Sequence, residues 1–279
     1  MNAQYSFDAR SNMVGNVSKI AFNSNGELFA VRGEELYRGP MPSNVKLDWF
    51  YTVKRVGKTD WDKFKFLLFD PQGVLYAATY NGELYKGPAP SNEDVSWLHE
   101  EATNVGTTGW SRFDALFFDL KSNLYAVTAD KLVMQSPPTS PQCQWLYSST
   151  AVGIGGWRHL ARFMAVGPDE ALWCVDSRSG IIYKGPIPTK EDHRYLDRAE
   201  KLGWGYNLYK HLSFTVDKIM MSILSCEFLP ESGKIVSLAT EVVQTQTYVN
   251  PGSSPVKHTF TPPSPPVDMW KCHLDMQYT

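Results

Sequence analysis

Four tryptophans recur at nearly equal steps along the chain. Trp61, Trp110, Trp157 and Trp204 are separated by 49, 47 and 47 residues, and each follows a turn that contains glycine, as in GTTGWSRFDALFFD (106–119). A flat indole beside a backbone that a ligand can approach closely is a good platform for the C–H face of a sugar ring. The spacing therefore predicts equivalent sugar sites in which the indole faces stay open to solvent.

Polar and charged residues near these tryptophans could hold the hydroxyl groups of a sugar by hydrogen bonds. They stand in the inner strand that follows each tryptophan, or in the turn around it. The residues assigned to carbohydrate binding are Trp61, Lys63, Asp70, Gly109, Trp110, Arg112, Asp119, Gly156, Trp157, Arg158 and Trp204.

A second interpretation of the same repeat is mechanical, because tryptophans also serve as wedges between neighbouring sheets. Trp49, Trp97 and Trp145 are 48 residues apart and each is followed by a bulky apolar residue, so we assign them to packing. For the other series, packing and sugar binding are both open from the residues alone.

Two further motifs share this period. The tags LYRGP (36–40), LYKGP (84–88) and IYKGP (182–186) alternate with the strand cores GELFAV (26–31), GVLYAA (73–78), SNLYAV (122–127) and EALWCV (170–175). In the second unit the pattern predicts four strands: 64–70, 74–80, 83–86 and one that starts at Ser96-Trp97-Leu98. Four antiparallel strands in about 48 residues are typical of a propeller blade.

The fold class is thus predicted to be an all-β, five-bladed propeller. The fifth unit would use LYKHLSFTVDKIMMSI (208–223), and residues 4–10 would supply its outer strand and close the ring. We place the propeller at 1–224 and a C-terminal extension at 225–279, in which 232–249 has a strand pattern and 250–266 is rich in proline.

Composition narrows the function classes. A net charge of −2 does not favour nucleic acid or an anionic membrane as partners. The four cysteines are far apart, and no metal or cofactor motif and no GxSxG, HExxH or P-loop is present, so we expect a protein that is not an enzyme and has no metal. No signal peptide or apolar run of membrane-spanning length is visible, which predicts a soluble protein, cytoplasmic or secreted by a non-classical route, whose propeller does not insert into membranes.

The ordered pattern GGW-x-x-F…FFDP-x-G-x-LYAV…LYKGP-x-P…WL, spread over about 12–218, resembles the tachylectin-2 family of five-bladed propeller lectins. The resemblance implies metal-free binding of N-acetylglucosamine or N-acetylgalactosamine on cell or microbial surfaces, in innate recognition or agglutination, with one shallow site per blade interface. The chain departs from the pattern at Val14-Gly15-Asn16, where a tryptophan is missing, at Val166-Gly167, and around Trp204, which is two residues out of register.

The run VSLATEVVQTQTYVNPGSSP (236–255) is similar, more weakly, to the entry strand of aerolysin-type pore-forming modules. Two alternatives therefore stand beside the lectin: a protein-interaction propeller, and the targeting head of a pore-forming protein.

Overall fold

The structure, a computed structural model, describes residues 17–41, 49–167, 169–206, 209–214, 219–225 and 240–246. Residues 4–10, which were predicted to close the ring, and most of the 225–279 extension lie outside this part of the chain.

Four sheets of four antiparallel strands follow one another along the chain, and in each the strands lie in sequence order. The first blade consists of β1 (Val17–Phe22), β2 (Leu28–Arg32), β3 (Glu35–Gly39) and β4 (Lys54–Gly57). The second consists of β5 (Phe64–Phe69), β6 (Leu75–Thr79), β7 (Leu84–Gly87) and β8 (Thr103–Gly106). The third consists of β9 (Ala115–Phe118), β10 (Leu124–Thr128), β11 (Lys131–Gln135) and β12 (Thr150–Ile154). The fourth consists of β13 (Met164–Val166), β14 (Ala171–Val175), β15 (Ile182–Pro186) and β16 (Glu200–Gly203).

A further sheet contains β17 (Tyr209–Phe214), β18 (Ile219–Ser225) and β19 (Thr240–Gln246). The first strands of successive sheets lie side by side, and β17 lies between β13 and β1, so the inner strands form a ring. The prediction of five four-stranded blades is nevertheless wrong: the described residues form four such blades and one three-stranded sheet. The third strand of this last sheet, β19, comes from the C-terminal region. It lies within 232–249, where the sequence predicted a strand that was not assigned to any blade.

The turn chemistry explains the hairpins within each blade. Asn81-Gly82 joins β6 to β7, and Gly82 has a φ of +94°, a conformation that is strained for residues with a side chain. Between β5 and β6, Asp70 Oδ1 accepts the backbone N–H groups of Gln72 and Val74. An Asp that folds its own turn in this way fixes the strand register.

Trp49, Trp97 and Trp145 are buried, which confirms their assignment to packing. In each, the indole Nε1 donates to the carbonyl nine residues earlier, of Pro40, Pro88 and Ser136, at 2.8 Å. These tryptophans do not start the outer strands, as predicted, but begin single helical turns at Trp49–Tyr51, Trp97–Glu101 and Trp145–Ser148, and Tyr195–Arg198 holds the same place in the fourth blade. The outer strands start a few residues later.

Among the described residues, no helix is long and apolar enough to cross a membrane.

Candidate functional site

The candidate site is the seam between consecutive blades. Each seam has a lip, where the outer strand of one blade leads through a turn into the next blade: Gly57–Trp61, Gly106–Trp110 and Gly153–Trp157 at the first, second and third seams. Across from the lip lies the facing loop, made of the residues just before and after the packing aromatic, 93–98, 141–146 and 191–196. Next to every lip, the register between the third and fourth strands shifts as in a β-bulge, and the lip glycine is paired beyond the shift.

One backbone conformation builds the three lips. The residue before the tryptophan is left-handed at Asp60 (φ +74°), Gly109 (φ +85°) and Gly156 (φ +81°). The tryptophan then starts a short helical turn: Trp61–Lys63, Trp110–Arg112 or Trp157–Leu160. The left-handed residue is glycine at two lips and Asp60 at the first. The Asp60 carboxylate pairs with Lys63 Nζ at 2.5 Å. Hydrogen bonding to this ammonium holds the pKa of Asp60 below its usual value.

The expectation that the indoles of this series stand open is wrong at all three lips. Trp61, Trp110 and Trp157 are 3%, 4% and 1% exposed. Their rings lie against the packing aromatic of the facing loop, with centroids 5.6 Å apart for Trp61 and Trp97 and 5.4 Å apart for Trp110 and Trp145. The indoles form the floor of each seam, so they cannot offer a full face to a sugar.

A glycine four residues before each tryptophan explains how the ring becomes covered. A Cβ built on Gly57, Gly106 or Gly153 would stand only 1.9, 2.0 or 2.2 Å from the indole Nε1. The indole edge therefore lies directly on the glycine backbone. The Gly-x-x-x-Trp spacing is a close-packing motif, and only glycine leaves the room that it needs.

The structure does not bring Asp70 and Asp119 to the seams. Both are buried at the far end of their inner strands, and β5, six residues long, separates Trp61 from Asp70 by roughly 20 Å of extended chain. Asp119 accepts the N–H groups of Lys121 and Asn123 and the side-chain amide of Asn123. Their carboxylates fold hairpin turns, so their assignment to a sugar site is corrected.

The three cations assigned to the site lie on the helical turns after the lips. Lys63 pairs with Asp60, and Arg112 Nε donates to the carbonyl of Gly109 at 3.1 Å. Arg158 lies 3.8 Å from Asp114 of the preceding blade. These side chains are exposed enough to contact a ligand at the edge of a seam, although each already forms an ion pair or a hydrogen bond within the protein.

Trp204 is not the fourth member of its series. Gly205 (φ +88°) has the left-handed conformation of Gly109, and the next residue, Tyr206, is buried. Tyr206 N–H donates to the carbonyl of Gly180 at 2.9 Å, as Trp110 N–H does to Gly82 at 3.1 Å. The lip is one residue shorter here, so Tyr206 takes the place of the tryptophan and Trp204, 59% exposed, lies on the lip itself.

The first seam contains a cleft of about 300 Å³. Its floor includes Trp61, Phe64 and Trp97, and its rim is polar, with Lys58, Thr59, Asp60, Glu93, Asp94 and Ser96. Lys58 Nζ reaches across the seam to Asp94 at 2.5 Å and approaches Glu93 at 4.0 Å. The pKa of Asp94 is lowered by this hydrogen bond and that of Lys58 is raised by it. An apolar floor under a rim of donors and acceptors suits a small polar ligand.

The facing loops and the lip side chains, apart from the tryptophans, were not identified from the sequence. The facing loops could have been found from their fixed distance to the packing tryptophans, since residues 93–96 precede Trp97, and residues 141–144 precede Trp145, by one to four positions. At the second seam this stretch is Pro-Gln-Cys-Gln, facing Thr107-Thr108-Gly109, and neither side carries a charge.

A second cavity, of about 390 Å³, lies along the inner strands and is lined by parts of β1, β5, β9 and β13. Lys65, at its edge, donates through Nζ to the carbonyls of Ser111 and Phe113 at 2.8 and 2.7 Å. These bonds join neighbouring blades. Within the described residues, no group of three or more His, Cys, Asp or Glu side chains could hold a metal ion.

The lip of the third seam is anchored by Asp130 of the third blade. Its Oδ2 accepts from Gly156 N–H at 2.8 Å and its Oδ1 from Arg158 N–H at 3.0 Å. These backbone bonds hold the pKa of Asp130 below its usual value. The carboxylate thus fixes the start of the Trp157–Leu160 turn.

Replacing Asp130 with alanine is expected to lower the free energy of unfolding by about 1 kcal/mol at neutral pH, since two backbone N–H groups lose a charged acceptor. A carboxyl group whose pKa is lower in the folded state stabilises the fold above its unfolded pKa and loses that effect as the pH falls through the folded value. The difference between wild type and Asp130→Ala should therefore shrink below about pH 4. Urea unfolding at several pH values measures it, and a difference that stays constant down to about pH 2 would contradict the assigned bonds.

Comparison with known proteins agrees with this arrangement. The sequence model of the family described as Tachylectin matches residues 1–211. A solved structure described as "The de novo evolutionary emergence of a symmetrical protein is shaped by folding constraints" is 30% identical, with a TM-score of 0.66, over 78% of this chain and 93% of that chain. A search of the curated proteins finds no match.

Two more distant structures have TM-scores below 0.5. A streptogramin B lyase is 10% identical, with a TM-score of 0.41, over 87% of this chain and 72% of that chain. A calcium-binding protein, regucalcin, from Agrobacterium tumefaciens is 12% identical, with a TM-score of 0.44, over 83% and 77%. The match over residues 1–211 and the four-stranded antiparallel blades lead to one conclusion: the chain belongs to the tachylectin family, and its fold is that of a lectin-like propeller.

Proposed function

We propose that this protein is a multivalent lectin that binds the N-acetylglucosamine or N-acetylgalactosamine ends of glycans at the seams between its blades. The observation that carries the proposal is the repeated lip, which presents the same backbone at successive seams of a propeller from a lectin family. Its biological role would be innate recognition or agglutination of cells or microbes that display such ends.

The burial of the indoles changes how the sugar would be held. Ring stacking on Trp61, Trp110 or Trp157 is not available, so the ligand would rest on the edges of the floor and bond to the polar rim. Such contacts bury little surface, which places each site at roughly millimolar to micromolar affinity. Several seams acting together would convert weak binding into avidity for a dense array of sugar ends.

A glycan array with the full chain tests this proposal, followed by Thr59→Arg combined with Thr108→Arg. Both threonines are exposed and lie on lips, so a long charged side chain at each should block the seams and leave the fold intact. The matched control is Thr103→Arg, which makes the same change at an exposed position at the start of β8, away from the lip. We expect N-acetylhexosamine binding by wild type and the control, and at least a tenfold loss of avidity in the double variant.

No binding of the wild type to any N-acetylhexosamine would refute the lectin. In that case the buried indoles favour the second candidate, a protein-interaction scaffold, because they act as wedges between blades in either function. We also propose that the seams bind without catalysing a reaction, and incubation with chitin oligosaccharides followed by product analysis tests this. The targeting-head alternative depends on the run 236–255, of which the structure describes only β19.

A further inference from the structure

The three seams share one backbone, yet the first residue after the lip glycine has a different environment in each. This residue is Lys58 at the first seam, Thr107 at the second and Ile154 at the third. It lies at the outer edge of its blade, where a strand presents N–H groups that no further strand pairs.

At the third seam this edge N–H is occupied from within the protein. Ile154 N–H donates to the carbonyl of Asp192 at 3.1 Å, and Gly153 and Asp192 form a parallel β-bridge. Asp192 belongs to the facing loop and is 8% exposed, held by an ion pair with Arg198 and by the N–H of Arg194 at 2.9 Å. The facing loop is therefore fastened across the lip.

At the first and second seams the equivalent donors have no such acceptor. In the part of the chain that the structure describes, neither Lys58 N–H nor Thr107 N–H makes a hydrogen bond within the protein. At the first seam the links across are made by side chains instead, from Lys58 to Asp94 and from Arg55 to Glu93, and the cleft lies beside them. A backbone N–H at the edge of a cleft that remains without a protein acceptor is available to a ligand.

The internal acceptor at the third seam also indicates the ligand group that would fit. The carbonyl of Asp192 is a secondary amide carbonyl, and the acetamido group of an N-acetylhexosamine carries the same functional group. We propose that Lys58 N–H and Thr107 N–H donate to the acetamido carbonyl of the bound sugar, and that the third seam is closed to sugar because Asp192 occupies its donor. This inference rests on the proposed function and deepens it, since it names the recognition contact and makes the seams unequal.

Backbone amide resonances of the full chain, followed during titration with N-acetylglucosamine, test the contact at each seam. We expect the amide signals of Lys58 and Thr107 to move in a saturable way, and that of Ile154 to stay in place. Glucose, which lacks the acetamido group, is the control ligand and should leave all three signals unmoved at the same concentration.

A matched pair of variants tests the donor itself. Thr107→Ala keeps the N–H and Thr107→Pro removes it, while both remove the threonine side chain. We expect Thr107→Pro to weaken sugar binding at the second seam at least tenfold and Thr107→Ala to leave it within about twofold. Thermal unfolding of both variants shows whether the fold is kept, and the shift of the wild-type Thr107 signal stands independently of either variant.

The outcomes separate this inference from the function on which it rests. Sugar binding without movement of the Lys58 and Thr107 signals, or with equal movement of Ile154, would overturn the inference and leave the lectin standing. Absence of any sugar binding would overturn both.

Discussion

Replacing Trp110 with alanine is expected to lower the free energy of unfolding by about 3–5 kcal/mol, the loss typical of a large aromatic removed from a core. Trp110 is 4% exposed and touches Phe113 and Trp145, with centroids 5.4 Å from both. Its removal leaves a cavity between the second and third blades that neither partner can fill. Chemical or thermal unfolding measures the change.

Trp204→Ala is the matched control, because it removes the same side chain from an exposed position on a lip. We expect its effect on stability to stay below about 1 kcal/mol. A loss of less than about 1 kcal/mol for Trp110→Ala, or equal losses for the two variants, would contradict the assignment of Trp110 to the floor of the seam.

Gly106→Ala is expected to destabilise the propeller by about 1–3 kcal/mol or more, because the added methyl group overpacks the lip. The new Cβ would stand 2.0 Å from Nε1 of Trp110, and the lip has to move to accept it. We expect the same variant to weaken sugar binding at the second seam, since Thr107 follows directly. Unfolding curves and a sugar titration of the variant measure both effects.

A double-mutant cycle separates the clash from any intrinsic effect of alanine at this position. Once Trp110 is alanine, the methyl group at residue 106 meets no indole, so Gly106→Ala should add little to the loss caused by Trp110→Ala. Additive losses would show that the close contact between the glycine and the indole is not the cause.

Much of the fold could be predicted because the same pattern of strands, turns and tryptophans recurs several times along the chain. The Asn81-Gly82 turn and the strand alternation around it place the hairpin of the second blade. The bulky apolar residue after Trp49, Trp97 and Trp145 identifies these tryptophans as packing residues. The blade count was less predictable. The sequence after Phe214 has no tag and no tryptophan at the step of the packing series, and the third strand of the last sheet comes from a distant segment, β19.

The sequence predicted where the candidate site lies, at the seams, but not which side chains line it. The tryptophans of the lips do mark the seams, yet their burial depends on a glycine four residues earlier, which was interpreted as room for a ligand and is filled by the ring itself. Asp70 has the chemistry of a sugar ligand, but its own turn takes its carboxylate. Tyr206 follows Trp157 by 49 residues, so a fixed step of 47 indicated Trp204, two residues before the residue that fills the place.

The central claim is that the seams of this propeller hold acetylated sugars. Crystals of the protein with N-acetylglucosamine test it most directly. We predict a sugar at the first and second seams, with its acetamido group beside Lys58 and Thr107, and an empty third seam. A sugar found only away from the lips, for example in the cavity along the inner strands, or none bound at saturating concentration, would contradict this account.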